Sequence, residues 1–350
     1  MVTARVAPMT AARLEEWRTA SAGTASPLPE PAEGDGYDPV VLVLDDVEVG
    51  GAVLTYDEQG GSRRALVRRL HTTLPHDAYP SWSALLAALE EHVRGHGVRT
   101  LVTAVPAGLT GAFRRAGFQA TMTTVSKRLD PESAPELQED RRVAVRPMEL
   151  AERQAFAGEV MTFLRAGMER AGVLAGSGAD LDDLAARVAR LAEDPAPQGE
   201  LLMTGLVDGE PVGRAWATLV TDDEGAVDFQ GNTIDLFPQF RGQGLTRSFL
   251  GALRRHVREI GVRDVVLRVY AHDTGARRTF LDNGAGITTS TSARTWTDAD
   301  PRVRGTGVSV RSSAGNLEPH PERRRTSWAT ASEHSCWRSA SCWPWPSPTR

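Results

Sequence analysis

Ile234-Asp235-Leu236-Phe237-Pro238-Gln239-Phe240-Arg241-Gly242-Gln243-Gly244-Leu245-Thr246 reads as the end of a strand, a proline stop, a loop with two glycines and a helix start. The strand is expected over Asn232 to Phe237. Leu245, Phe249, Leu253, Val257 and Ile260 recur every three or four residues and predict one buried face of a helix from Leu245 to Ile260. A strand, a glycine loop and a helix start bring free backbone N–H groups together, and the helix dipole adds positive potential. Gly242 and Gly244 lack Cβ, so the backbone there can approach a phosphate closely. A Walker loop requires Lys-Ser/Thr after its glycines, whereas Leu245-Thr246 follows Gly244. A Rossmann loop requires a third glycine, and Arg247 stands in its place.

On either side of this stretch the chain reads as two rounds of one element order. The first opens with a strand at Val6–Met9 and a helix through Trp17. A hairpin follows at Val40–Leu44 and Gly51–Leu54, turning near Asp45-Asp46, then a strand over Ala65–Thr73 and a helix over Ser81–Arg94. A strand at Thr100–Val105, a helix near Leu109–Arg115 and a closing strand at Gln119–Lys127 end it. The second opens at Val143–Met148, with helices over Ala151–Met168 and Leu181–Ala192. A hairpin at Leu201–Val207 and Val212–Leu219 turns on Asp208-Gly209. After the loop and its helix come a strand at Asp264–Tyr270, a helix at Thr274–Asp282 and a last strand near Ile287–Thr297.

A shift of 164 positions lays Leu86-Ala87-Ala88-Leu89 on Leu250-Gly251-Ala252-Leu253, His92-Val93-Arg94 on His256-Val257-Arg258, and Gly97-Val98-Arg99 on Gly261-Val262-Arg263. Thr110-Gly111-Ala112 falls on Thr274-Gly275-Ala276 without a gap. In the same register Ala78 and Pro80 stand opposite Gly242 and Gly244, and Pro75 and Asp77 opposite Gln239 and Arg241. Pro80 has no N–H, Ala78 adds a Cβ and Asp77 adds negative charge, so the first copy is expected to have lost its phosphate loop.

The pattern Gln-x-x-Gly-x-Gly after a strand and a proline resembles the pyrophosphate loop of the GNAT acyltransferases. Asp208-Gly209-Glu210-Pro211-Val212-Gly213 resembles an early hairpin of that family. Asp273-x-x-Ala276-x-x-x-Phe280-x-x-x-Gly284 resembles its Asn-x-x-Ala-x-x-x-Tyr-x-x-x-Gly end. The order of elements over about 1–300 is similar to the tandem-GNAT arrangement of mycothiol synthase. The resemblance implies an α/β fold of two tandem GNAT-like domains, each a mixed, mostly antiparallel twisted sheet flanked by helices. The domains are expected at 1–130 (degenerate) and 141–300 (with the acyl-CoA loop), joined by a linker over 131–140.

For chemistry, the resemblance implies transfer of an acetyl group from acetyl-CoA to a primary amine of a small molecule or peptide, by direct attack in a ternary complex. Gln239, Phe240, Arg241, Gly242, Gln243, Gly244, Leu245 and Thr246 would hold the cofactor, with Asp273, Ala276 and Phe280 completing the set. Backbone N–H near Leu236 and Phe237 would stabilise the oxyanion. No metal is implied. Asp235 and Asp228 are the acids on the strand, and Asp235 is the expected base. Its alternative reading is a solvated surface acid. The family's tyrosine acid is replaced by Phe280 and its asparagine by Asp273. Tyr270 is therefore taken as the proton donor, with His272 nearby. The other reading of that pair is a packed strand aromatic and a loop histidine. Trp216 reads as an acceptor-pocket wall or a core residue. The competing function is a non-catalytic acyl-CoA-binding or interaction module.

Composition bounds the rest. The chain has 350 residues, a net charge of −5 and two cysteines, Cys336 and Cys342. A disulfide framework is not expected and the cytoplasm is the default compartment. No apolar run reaches the ~18 residues of a membrane span, and the net charge disfavours a nucleic-acid partner. After residue 300 the character changes. Eight arginines against three glutamates give +5 there, and four of the eight tryptophans and both cysteines follow Thr326. No apolar periodicity is present, so 301–350 reads as a disordered tail from a shifted reading frame in a GC-rich gene.

Overall fold

The computed structural model describes residues 2–21, 36–59, 62–129, 143–172, 178–222 and 225–296. The expected linker 131–140 and the tail 301–350 lie outside the described residues. The chain divides into two compact units, and the division does not follow chain order. One unit takes Met1–Asp57, Arg63–Leu101 and the stretch from Thr295 on; the other takes Glu58–Ser62 and Val102–Arg294. The expected division at 131–140 thus falls within the second unit.

In the first unit, β1 (Ala4–Pro8), β2 (Asp38–Leu44), β3 (Val47–Gln59) and β4 (Ser62–Thr72) lie side by side in that order. The β1–β2 and β2–β3 pairings are antiparallel. The β2–β3 turn is the expected one, with Asp45 and Asp46 at φ 47° and 63°. Aspartate tolerates that left-handed conformation better than most residues. Between strands stand α1 (Ala11–Ser21) and α2 (Tyr79–Gly95). The latter buries Trp82, Leu85, Leu86, Leu89 and Val93, the stripe its spacing predicts.

The second unit orders its strands β5 (Thr100–Pro106), β12 (Gly286–Thr295), β6 (Gln119–Arg128), β11 (Val262–Tyr270), β10 (Val227–Leu236), β9 (Glu210–Thr221), β8 (Glu200–Val207), β7 (Val143–Pro147). Its described pairings are antiparallel except β10–β11, which is parallel. The arrangement is therefore the expected mixed, mostly antiparallel α/β one. The closing strand of the first copy, β6, sits between β11 and β12 of the second. Backbone pairing partners are not written in local periodicity, which is why sequence order alone assigned β6 to its own copy.

Helices α3 (Thr110–Arg115), α4 (Leu150–Arg170), α5 (Gly178–Arg190), α6 (Leu245–Glu259) and α7 (Thr274–Asp282) complete this unit. Glu149 and Glu152 form a capping box at the start of α4. One sheet face packs Phe229, Leu236, Leu267 and Val269 against Phe249, Leu253 and Val257 of α6. The opposite face packs Trp216 and Leu202 against Phe156, Val160 and Leu164 of α4 and Val188 of α5. Ile260, expected on the buried stripe of α6, lies one residue past the helix and is exposed.

Candidate functional site

The strand before the loop is longer than Asn232–Phe237. It begins at Val227, because its first half pairs with β11 as well as β9. The β10–β11 pairing ends at Gly231–Leu267, whereas β10 continues to Leu236 and β11 to Tyr270. Beside this end, the β10–β9 register shifts between Gly231 and Thr233. Two neighbouring parallel strands are thus unpaired over their C-terminal ends, which leaves β10 backbone groups on that side without a ladder partner.

Phe237 N–H donates to Val212 O at 2.9 Å. Of the two N–H groups expected to face an oxyanion, that of Phe237 is therefore already committed to β9. Successive residues of a ladder turn their N–H and C=O to alternate sides, so those of Leu236 turn away from β9 toward the gap. Arg241 closes part of it, its Nε donating to Leu236 O at 2.9 Å.

Pro238–Phe240 then form a 3-10 turn, and α6 begins at Leu245. Gly242 and Gly244 have φ of 73° and 76°, the left-handed region that favours glycine. A Cβ built on either would meet nothing within 4 Å, so the loop's outer surface is open. Within the loop, Gln243 Nε2 donates to Gln239 O at 2.8 Å. Among the described loop and cap bonds, the N–H groups of Gly242, Gln243, Gly244, Leu245 and Thr246 have no backbone acceptor. Such orphan donors are what a helix N-terminus offers an anion.

The matching loop of the first copy has used its donors internally. Ala78 N–H bonds Pro75 O at 3.1 Å, and Tyr79 N–H bonds Asp77 O at 2.7 Å. The Trp82 indole Nε1 donates to Pro75 O at 3.0 Å, and Pro80 occupies the first turn of α2. Ala78 and Tyr79 N–H are thus committed within the loop, and Pro80 has no N–H to offer.

The two expected acid–base residues both reach the α4 face of the second unit. Asp235 pairs in register with Arg214 of β9. Arg214 Nε lies 3.5 Å from Asp235 Oδ1, and its Nη1 donates to Glu159 of α4 at 2.9 Å. The Arg214 guanidinium also lies over the rings of Phe156 (5.0 Å) and Phe237 (5.8 Å). Burial pushes the Asp235 carboxyl above its ordinary value, and the nearby Arg214 and Arg241 oppose that only in part. It is not a solvated surface acid: its side chain is 18% exposed.

Tyr270 packs on the same helix, where a Cβ at Gly167 would lie 2.5 Å from its ring. Burial pushes its hydroxyl up to about 12. His272 stacks on it, with ring centroids 5.6 Å apart and planes 7° from parallel.

Asp228, the other acid of β10, lies at the far end of the strand from the gap. There Arg263 joins it to Asp222 and Asp264, at 3.3, 2.9 and 2.9 Å. Trp216 is wholly buried and donates to Glu200 Oε2 at 2.7 Å, so it is a core residue. Asp273 caps α7, accepting from Ala276 N–H at 2.9 Å. Ala276 and Phe280 pack against the α6-side core. Phe280 also lines an apolar cavity of about 80 Å³ between α6, α7 and the sheet, with Phe229, Ile234, Leu253 and Leu267. Lys127 stands at its edge, its Nζ donating to Asn283 O at 2.6 Å. Nothing in the local sequence signalled this cavity, because β6 contributes to its wall from the other copy.

No protein-family model and no curated protein matches the chain. Solved structures similar to it include a tandem GNAT protein from the clavulanic acid biosynthesis pathway. That pair shares 16% identity over 85% of this chain and 100% of the other, with a TM-score of 0.42. A GCN5-related N-acetyltransferase from Sphaerobacter thermophilus shares 16% identity over 84% and 95%, with a TM-score of 0.45. A GNAT-family acetyltransferase from Colwellia psychrerythraea shares 13% over 84% and 100%, with a TM-score of 0.42.

Proposed function

We propose that the second unit binds acetyl-CoA at the Gln239–Thr246 loop and transfers its acetyl group to a primary amine of a small molecule or peptide. The observation that carries this reading is the contrast between the two loops. Five consecutive N–H groups from Gly242 to Thr246 have no backbone acceptor, whereas the first copy's loop bonds its own carbonyls. A pyrophosphate fits such a loop, since the two left-handed glycines leave its surface free of side-chain atoms. Bound acetyl-CoA would supply the activated acyl group as thioester.

The chain's own residues divide the remaining work. Gly242, Gln243, Gly244, Leu245 and Thr246 hold phosphate oxygens through backbone N–H, and Arg241 ties the loop to Leu236 O. The Leu236 N–H, turned toward the gap between β10 and β11, is the donor for charge developing on a carbonyl oxygen. Asp235 takes a proton from the ammonium of the acceptor, directly or through water, because its raised carboxyl is a better base than an ordinary aspartate. Tyr270 keeps its proton at neutral pH and can donate it to a leaving thiolate, the task that Phe280 cannot perform.

The test is a titration of acetyl-CoA into the chain, followed by a screen of primary amines with free thiol release as the readout. Saturable binding with amine-dependent thiol release supports the transferase. Binding without release from any amine class supports the alternative, an acyl-CoA-binding module. Absence of binding by a folded chain removes both.

A further inference from the structure

The proposed transfer uses nothing in the first unit, yet that unit contains a cluster of metal-ligand type. Asp38 opens β2, and His92 and His96 lie one helical turn apart at the C-terminal end of α2. One ligand atom from each lies within 4.8 Å of the other two, the one such trio among the described residues. We propose that Asp38, His92 and His96 bind a late first-row divalent cation, Zn²⁺ by preference, with water completing its coordination.

The donor set is two imidazoles and a carboxylate, which suits Zn²⁺ and its neighbours rather than Mg²⁺ or Ca²⁺. Zn–N and Zn–O bonds of about 2.0–2.1 Å place tetrahedral ligand atoms about 3.3–3.4 Å apart. His92 Nε2 now lies 2.7 Å from Asp38 Oδ2, sharing a proton. A cation would take that proton's place, which requires the pair to open by only about 0.6–0.7 Å. His96 then closes from a separation of at most 4.8 Å by side-chain rotation.

The surroundings already orient the ligands. His96 Nδ1 lies 3.0 Å from His92 O; with Nδ1 as the donor, its Nε2 is left as the metal-facing nitrogen. The Tyr56 hydroxyl donates to Asp38 Oδ2 at 2.6 Å, and its ring stacks on His96 at 5.1 Å and 28°. That bond makes Tyr56 a donor that orients the carboxylate. His96 is exposed, which leaves room for a water ligand and a route for the ion. Arg63 opposes binding: its Nη1 donates to His96 O at 3.0 Å, and its guanidinium lies 5.3 Å from the Tyr56 ring centroid.

The test titrates Co²⁺ alone, then Zn²⁺ in competition, into the untagged, metal-stripped full chain. It is run in a Cys336→Ser/Cys342→Ser background, so that the two thiols do not contribute. The expected result is one equivalent of Co²⁺ with the visible absorption of a low-coordinate nitrogen–oxygen site, displaced by Zn²⁺. His92→Gln/His96→Gln should lose at least 100-fold in affinity, and Tyr56→Phe should lose about 10-fold through the carboxylate it orients. Zn²⁺ should also raise the melting temperature of the parent and leave that of the double variant unchanged. A parent that is folded by circular dichroism and takes up no Co²⁺ would overturn the proposal. So would a double variant that binds as tightly as the parent.

Discussion

Gly242→Glu separates the loop's two roles, as a turn and as a phosphate cradle. At φ 73° a side chain is strained, and leaving glycine there costs about 1–2 kcal/mol. A Cβ would meet no atom within 4 Å, so no clash adds to that cost. The variant should therefore fold, with a melting temperature lowered by a few degrees. Ligand binding should suffer far more. The new side chain carries negative charge to the donors of Gly242 and Gln243. Losing two hydrogen bonds to a charged phosphate at about 1.5 kcal/mol each removes about 3 kcal/mol. That is a ~150-fold weakening of acetyl-CoA. The assay is calorimetric titration at fixed ionic strength, with Ala78→Glu as the matched change in the first copy. Ala78→Glu should leave affinity within about twofold, because the donors around it are already bonded to Pro75 O and Asp77 O. Equal affinities in the parent and a folded Gly242→Glu would refute the reasoning: the two glycines would then be a turn and nothing more.

The remaining predictions concern the α4 face and the core. The folded Asp235 carboxyl titrates above its unfolded value of 3.8, so its ionisation is harder in the folded chain. The acid limb of the rate profile should lie above 3.8, and Asp235→Asn should abolish that limb along with most of the rate. By linkage, the penalty for ionising Asp235 is absent below the unfolded value and complete above the folded one. The stability of Asp235→Asn relative to the parent should thus rise as pH climbs through that window, measured by chemical denaturation. Tyr270→Phe should cost little stability but about 10–100-fold in turnover at unchanged acetyl-CoA affinity; unchanged turnover would reduce Tyr270 to a packing role. Trp216→Phe removes the indole bond to Glu200, which Arg187 also holds at 2.7 Å. It should lower stability by about 2–3 kcal/mol in urea melts while leaving acetyl-CoA affinity unaltered.

Local patterns were legible wherever one residue type could do only one thing. Three-to-four spacing located α2 and α6, and Asp208-Gly209 marked its hairpin. Proline and alanine stand where the second copy's loop has glycine, and the missing N–H of Pro80 follows from residue type alone. The gap between β10 and β11 was not legible, because it depends on where a parallel pairing stops at Gly231 and Leu267. Neither was the commitment of Phe237 N–H to Val212, a residue 25 positions away in a different strand.

The sequence by itself determined the elements, their repetition and the two glycines of the loop, since these follow from side-chain type and spacing within a few residues. Tertiary structure decided how the two acids of β10 are surrounded. Asp228 and Asp235 look alike in sequence, but one is held by Arg263 at the paired end and the other is buried beside Arg214 at the open end. It also gave β6 to the second unit and brought Asp38 to His92 and His96. Both are contacts between segments far apart in the chain, and long-range pairing is set by the packing of whole faces rather than by any local signal.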